Sequence, residues 1–568
     1  MFFLGPQTCN RARRAWAALL LAVAIPFLSG NAVQATSSDF EGWTTAQSGP
    51  FRLLTHADSE QAAELLVDLE RFRRAFAEFA PGIDAGFRVP IQIVAFRDGA
   101  SYEPFKSQPD ERGASGVRIL GQFLSHRDGN FITVNVDPRV TGGLGIVLHE
   151  YVHHLLNQNL PRVPRWLNEG LAEYYSTFQV EGAYAVIGRP VVRHLRWWRE
   201  SESAAVLDVL EVEPGSAHSL GGAGAGEFYA VSWGLVHYLL GTPGGPARLA
   251  AYLEAVAGGA GSADSLLESL DLSASKLEEE LRRHLVGGTL GAASLPLGDL
   301  GSIEVAEAAA APDYTSMVLG ELAARLGHER QADVLFDSAL SYRSDNAEAL
   351  AGLAMLRERE RRFEEAKYLY TDALAAGPRS ARTYLRHGRH LLQRLEQESP
   401  LSTEQKRQLA LRARVSFEAA AALEPRFAES YVMLATVHLF SDLDANEGVA
   451  FGDRALRLLP TRVDVVHTLI RLHLKAGALD RARALLEGSF RVLASSDDYS
   501  RAVTEVRRAE LLVGSREAIS ELRWQDAVEL FDQAISHTED LDLRLRMEEQ
   551  LERLQRQADR ASGKSVSG

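Results

Sequence analysis

Thiols are nearly absent from this chain of 568 residues: it has one cysteine, Cys9, and none after it. A single thiol forms no internal disulfide, and because no cysteine follows the apolar run near the N-terminus, a lipid-modified cysteine there is excluded. Cysteine nucleophiles and thiolate-ligated metals are excluded from the rest of the chain on the same count. Basic excess is lacking too, since 61 Lys and Arg stand against 76 Asp and Glu, for a net charge of -15. A surface of that sign repels phosphate backbones, so no nucleic-acid partner is expected. The Gly-rich stretch from Gly221 to Gly226 is not followed by the G-K-S/T of a phosphate-cradling loop. Downstream of the N-terminal segment there is also no apolar run of the ~20 residues that a spanning helix needs.

What is present begins with an unusual first 35 residues. Arg11, Arg13 and Arg14 precede an apolar run from about Ala15 to Leu28 that Pro26 interrupts, and Val33-Gln34-Ala35 supplies small side chains before a cut. That order is the order of a secretory signal peptide. Its removal takes Cys9 away, leaves no membrane span, and brings the net charge to -15 - 3 = -18, because the segment holds three arginines and no acidic residue. The expected location is secreted or periplasmic. The short basic cluster from Arg193 to Arg199 is expected to be a solvated helix face.

From about Asp39 to Leu285 the hydrophobic pattern is mixed. Phe51–Thr55, Val89–Ala95 and Asn130–Val136 are short runs of β-branched and aromatic residues bounded by Gly, Pro or Asp, as strands are. Between the first two, Ala63, Leu66, Leu69, Phe72 and Phe76 recur at helical spacing, and after Val140 the signals are mostly helical. A small sheet followed by helices predicts an α+β domain. Residues 286–312, rich in Gly, Ala, Ser and Leu, predict a linker with one short helix. Beyond it a helical repeat emerges. Ala339 and Ala373 are 34 residues apart, as are the segments starting at Asn346 and Ser380, and Leu423-Glu424-Pro425 and Leu458-Leu459-Pro460 are 35 apart. The stretch Glu398–Leu409 is an excess of about a dozen residues over that period. Period and small-residue pattern resemble tetratricopeptide repeats, helix pairs that are stable when stacked and that offer an inner face to protein partners.

The chemistry is concentrated in residues 145–175, GIVLHEYVHHLLNQNLPRVPRWLNEGLAEYY. Leu144, Val147, Leu148, Tyr151, Val152 and Leu155 describe one amphipathic helix. His149 and His153 are then one turn apart on a shared face, about 5–6 Å between Cβ atoms. Two imidazoles so placed converge on one Zn²⁺, and Glu150 on the neighbouring face can reach a water there without coordinating. A catalytic zinc needs a third ligand and an open position. Pro161 and Pro164 turn the chain into a second helix, Arg165–Tyr175, which can aim Glu169 at the metal and place Glu173 against a free ring nitrogen of a liganding histidine. His154 competes as a ligand, but it is rotated by about 100° from His153 and is expected to lie outside the first coordination sphere. Tyr229, expected to open a helix directly after the Gly-rich stretch, is a candidate donor to a developing oxyanion or a core tyrosine. The Gly-rich stretch itself is a mobile lip or a plain surface loop. The edge of the strand at Phe131–Val136 is expected to be free to pair with an extended substrate.

H-E-Y-V-H followed by Glu169 in W-L-N-E-G-L-A resembles the gluzincin metallopeptidases, and more closely the peptidase-MA-like proteins, often secreted and often joined to tetratricopeptide repeats. The resemblance covers roughly residues 85–285, its specific part 149–175. It implies a zincin-like fold, His149, His153 and Glu169 as zinc ligands, and Glu150 as general base and later acid. The ligand spacing is shorter than in the large aminopeptidases of that group, and no G-x-M-E-N segment is present, so an endopeptidase or a specialised hydrolase of protein or peptide substrates is implied. The competing expectation is an inactive metal-binding and repeat scaffold. The expected organisation is a signal peptide at 1–35, a zincin-like metallopeptidase domain at 36–285, a linker at 286–312, tetratricopeptide-like repeats at 313–560 and a disordered tail at 561–568. N-terminal sequencing of the exported protein is expected to read Thr36 as the first residue; a mature product that still contains Cys9 contradicts the signal reading.

Overall fold

A computed structural model of the chain describes residues 40–80, 83–86, 91–106, 121–137, 143–160, 163–212, 223–397 and 401–562. The signal segment with Cys9, the residues after Ser562, Gly221–Gly222 and Glu398–Pro400 lie outside the described residues. Among the described residues no helix is long and apolar enough to cross a membrane.

The front region is built on a six-stranded mixed sheet with spatial order β4-β5-β3-β2-β1-β9. Its strands are β1 (Thr44–Ser48), β2 (Phe51–Thr55), β3 (Ile91–Phe96), β4 (Gly121–Leu124), β5 (Asn130–Asn135) and β9 (Ala306–Ala309). β2, β3 and β5 run parallel, and β1, β4 and β9 are antiparallel to their neighbours. Side chains alternate across the sheet. One face carries Phe51, Leu53, Ile91, Ile93, Ile132 and Val134, which share a core with helices α1 (Ser59–Phe79), α2 (Gly143–Asn159) and α3 (Arg165–Tyr175). Tyr151, inside the H-E-Y-V-H segment, ties these layers together: its ring meets Phe51 of β2 at 6.1 Å, Phe72 of α1 at 5.9 Å and Phe123 of β4 at 6.4 Å. The metal-motif helix is thereby fixed to sheet and helix at once. The other face, with Leu54, Val94, Phe96, Phe131 and Thr133, is equally buried.

β5 is an interior strand, flanked by β3 and β4, so among the described residues the sheet edge expected at Phe131–Val136 is β4 instead. The four residues of β4 are too short a run, with too little alternation, to be read as a strand in advance. Residues 286–312 also differ from the expected linker. Ala293–Pro296 forms β8, which pairs with β7 (Tyr184–Ile187), itself paired to β6 (Gln179–Glu181), and Ala306–Ala309 forms β9 on the edge of the large sheet beside β1. Every residue of β9 is exposed, so this strand is held by backbone pairing alone and has no side-chain pattern to betray it.

After α3 come α4 (Val192–Glu200), α5 (Ala223–Gly241), α6 (Gly245–Ala257), α7 (Ala263–Leu270) and α8 (Ala274–Gly287). The helical half then begins with α9 (Pro312–Arg325) and α10 (Glu329–Tyr342), α11 (Ala347–Arg359) and α12 (Phe363–Ala375), and α13 (Ala381–Gln397) and α14 (Thr403–Leu423). It continues with α15 (Ala428–Phe440) and α16 (Ala445–Leu458), α17 (Val463–Lys475) and α18 (Leu479–Leu485), then α19 (Ser496–Ser520), α20 (Trp524–Ser536) and α21 (Leu541–Ala561). Ala339, Ala373, Ala420 and Ala455 each sit fully buried in the second helix of a pair. These small residues let the helices of a pair approach, and the prolines at 425 and 460 follow the ends of α14 and α16. The dozen-residue excess is absorbed largely as extra helix: α13 has 17 residues and α14 has 21, against 13 each in α11 and α12.

Helix α5 carries a buried histidine paired with a half-buried one on α8. His237 Nδ1 lies 3.0 Å from His284 Nε2 of α8, and the His237 ring packs against Trp233 and Tyr174. Burial, together with the neighbouring His284, lowers the His237 pKa from 6.5 to about 4. The unfolded chain therefore binds a proton between about pH 6.5 and 4 that the folded chain refuses, and stability is lost as pH falls through that window. Denaturant titration is expected to show a loss of roughly 2–3 kcal/mol across it, and His237→Gln is expected to flatten that slope. An unchanged slope in the variant contradicts the assignment.

Candidate metal centre

Among the described residues one group of three side chains is arranged to hold a metal ion: His149, His153 and Glu169. The two histidines come from α2 and the carboxylate from α3, which starts after Pro164. His149 Nε2 and His153 Nε2 are 3.1 Å apart, and Glu169 Oε2 lies 3.4 Å from each. Tetrahedral bonds of about 2.0–2.1 Å separate ligand atoms by about 3.3–3.4 Å. The triangle therefore has the size of one face of a zinc tetrahedron. Glu169 Oε2 is buried and has no hydrogen-bond partner of its own. A buried carboxylate oxygen left in that state is costly unless a cation completes it. Three lone-pair-bearing atoms facing one another, with one of them orphaned, fit the donor set of such an ion.

The electrostatics run the same way. Burial alone raises the Glu169 pKa, but the two imidazoles beside it outweigh burial and hold it at about 2, so the carboxylate is ionised at neutral pH. Burial disfavours a proton on His153, whereas Glu169, Asn168 and the charge of Glu150 favour one more strongly, and the net shift is upward. A cation in the triangle competes for that same site.

The surrounding side chains orient the donors. His153 Nδ1 is 2.9 Å from Asn168 Oδ1, so its Nδ1 carries the proton and donates to Asn168, which leaves Nε2 free toward the triangle. Asn168 was legible in W-L-N-E-G only as a neighbour of Glu169. Glu173 is placed differently from the expectation: its nearest oxygen is 3.9 Å from His149 Nδ1, too far for a hydrogen bond. Its carboxylate instead accepts from Arg193 Nη2 at 2.5 and 2.6 Å and lies 3.2 Å from His194 Nε2. Arg193 and His194 belong to the RHLRWWR helix α4, whose Arg196 and Arg199 are exposed as expected. His154 points elsewhere, with Nε2 at 3.3 Å from Asn130 Nδ2 and its ring against Phe123.

Glu150 is half-buried, and its charge acts on both His153 and Tyr229. Tyr229 does not open its helix. It lies in the second turn of α5, whose first turn contains Gly224 and Gly226 of the Gly-rich stretch. Burial, then the charges of Glu169 and Glu173, raise its pKa to about 12, so its phenol is protonated and able to donate. One glycine fixes the spacing of α3 and α5. A Cβ on Gly170 would stand 2.3 Å from the Ser232 carbonyl oxygen, so only a residue without a side chain lets α5 come this close behind Glu169. Gly170→Ala is expected to cost about 1–3 kcal/mol in denaturant unfolding. An unchanged midpoint contradicts the close packing.

The family described as "Protein of unknown function (DUF1570)" matches residues 144–257, a span that contains the whole triangle, Glu150 and Tyr229. No curated protein matches. Solved structures similar to this chain include PilF of Pseudomonas aeruginosa, 23% identical over 39% of this chain and 89% of that one, with a TM-score of 0.27. They also include a thermophilic tetratricopeptide-repeat protein of Thermus thermophilus, 22% identical over 34% of this chain and 98% of that one, with a TM-score of 0.27. A third is a tetratricopeptide repeat protein from Parabacteroides merdae, 15% identical over 55% and 97%, with a TM-score of 0.25. Scores of this size leave the description of the helical half to its own period and packing.

Proposed function

We propose that the protein is an exported zinc-dependent hydrolase of peptide bonds, an endopeptidase in type, whose helical repeats serve protein–protein interaction. The observation that carries the reading is the triangle of His149 Nε2, His153 Nε2 and Glu169 Oε2 with sides of 3.1, 3.4 and 3.4 Å, immediately beside a glutamate with no role as a ligand. Zn²⁺ is the cofactor this donor set suits, two imidazole nitrogens and one carboxylate oxygen. The chemistry such an ion supplies is Lewis acidity, which acidifies water and polarises a carbonyl.

The chain's own groups carry the rest. Glu150 takes the proton of the attacking water and returns it to the leaving amine nitrogen. Tyr229, protonated across the neutral range, donates to the carbonyl oxygen as negative charge gathers there. Asn168 keeps the His153 ring turned with Nε2 inward, and Arg193 with His194 hold Glu173 as a fixed negative charge behind His149. The free edge of β4 runs antiparallel to β5 and offers backbone groups to an extended substrate.

The second reading, an inactive metal-binding scaffold, draws on the extent of the helical repeats. Glu150 separates the two, because a structural ion has no use for a general base. Metal-loaded protein is expected to hold one zinc per chain and to cleave members of a peptide library. Glu150→Gln is expected to keep the zinc and lose at least ~100-fold in hydrolysis, and Tyr229→Phe to lose about 100-fold in kcat. Stoichiometric zinc with no hydrolysis by the parent protein favours the scaffold; no zinc at all removes both.

A further inference from the structure

The second face of the large sheet is buried. At its Phe96 end it is covered by the short helix Gly99–Tyr102 and the turn after it, with the Tyr102 and Phe105 rings stacked on Phe96 and the Tyr102 hydroxyl 3.0 Å from Thr133 Oγ1. Along the row of Arg52, Gln92 and Phe131 it is met by the helical half. Tyr314 of α9 donates to Gln92 Oε1 of β3 at 3.4 Å, and Arg52 of β2 pairs with Glu424 just after α14. Phe131 of β5 lies under two guanidinium groups, Arg325 of α9 at 4.9 Å and Arg382 of α13 at 5.9 Å. α9, α11, α13, α15 and α17 are the first helices of successive pairs and pack in a row, which makes theirs the inner face of the array, the face that repeat proteins of this architecture offer to ligands.

The firmest contact is at the turn between β4 and β5. Asp128, 5% exposed, projects into the row of first helices. Its Oδ1 accepts from Arg325 Nη2 at 2.8 Å, and its Oδ2 accepts from Arg386 Nη2 at 3.0 Å and Nε at 3.2 Å. Its backbone carbonyl accepts from Arg382 Nε at 2.9 Å. Glu321 of α9 completes the cluster, receiving both terminal nitrogens of Arg386 at 2.5 and 2.8 Å. His126 Nδ1 stands 2.6 Å from Asp128 Oδ1 on the solvent side. Gly129 makes the approach possible: its φ is +147°, and a Cβ there would meet Arg382 Nη2 at 2.3 Å. A single carboxylate held by arginines from two different helix pairs is how a groove recognises an acidic peptide segment. Further along the array, Thr461, ahead of α17, donates to the Asn157 carbonyl in the last turn of the metal-motif helix at 3.1 Å, and Arg127 pairs with Asp464 at 3.4 Å.

We propose that the inner face of the first five helix pairs is a binding groove whose occupant is this chain's own β-sheet, with Asp128 as the anchoring carboxylate. The repeats are then the second layer of the front domain before they are a platform for anything else, and a protein that takes up the same face has to displace the β4–β5 turn. The proposal is independent of zinc and of hydrolysis.

Hydrogen–deuterium exchange on the full chain tests it. In Asp128→Asn, amides of β4–β5 and of α9 and α13 are expected to exchange at least tenfold faster together, while α19 to α21 keep the parent rates. Exchange that rises only at 126–130, with α9 and α13 unchanged, overturns the proposal. Arg382→Ala, which removes the hydrogen bond to the Asp128 carbonyl, the guanidinium over Phe131 and a 3.6 Å pairing with Glu321 but leaves both buried carboxylates paired with Arg386, provides a milder variant should Asp128→Asn fail to fold. It is expected to show the same joint pattern at about threefold, and loss of protection in one partner without the other again overturns it.

Discussion

The grouping of His149, His153 and Glu169 depends on how α2 and α3 approach each other. Two imidazoles one turn apart are common; what is demanding is a carboxylate from another helix placed 3.4 Å from both Nε2 atoms. That position is set by packing well away from the donors. Tyr151 locks α2 against the sheet and α1, and Gly170 lets α5 press against the back of α3. The buried Oε2 of Glu169 has no hydrogen-bond partner among the protein atoms, and its nearest polar neighbours are the two imidazole nitrogens at 3.4 Å. We propose a divalent cation as the partner that this oxygen and the two imidazole nitrogens share.

The same economy shapes the rest of the molecule. A mixed sheet of this kind has two apolar faces to bury, and here α1 to α3 cover one, while Tyr102 and Phe105 of the front region and the first helices of the repeat array share the other. The metal-motif helix is touched from both sides, by the core through Tyr151 and by the helical half through Thr461 at its C-terminal end. Front region and repeats form one compact unit from Phe40 onward, and the third and fifth helix pairs reach the β4–β5 turn and the metal-motif helix through Arg382, Arg386, Thr461 and Asp464.

Much of this was legible in the sequence wherever side chains carry a period. The motif helix, the second helix with Glu169, the strands at β2, β3 and β5 and the 34-residue repeat all announce themselves through apolar residues that face a core. The elements that escaped are those held by the backbone. β9 buries no side chain, β8 alternates only weakly, and β4 is four residues long, so residues 286–312 read as a linker and β5 read as an edge. Glu173 escaped for another reason: helical spacing put it near His149, but Arg193 and His194, distant in sequence and on a helix that reads as a plain basic surface, draw its carboxylate away. Asp128 carried no signal at all, because its arginine partners lie 197 to 258 residues downstream and pairing of that range has no local pattern.

The proposed zinc ion between His149, His153 and Glu169 is tested most directly by identifying the atoms that surround it. X-ray absorption at the zinc edge of the metal-loaded full chain is the direct measurement. The geometry calls for a four-coordinate site with two imidazole nitrogens and oxygen donors at about 2.0–2.1 Å, and for its disappearance when His149 and His153 are both replaced by alanine. A six-coordinate all-oxygen shell, or a spectrum that the double replacement leaves unchanged, would place the ion elsewhere and contradict the account.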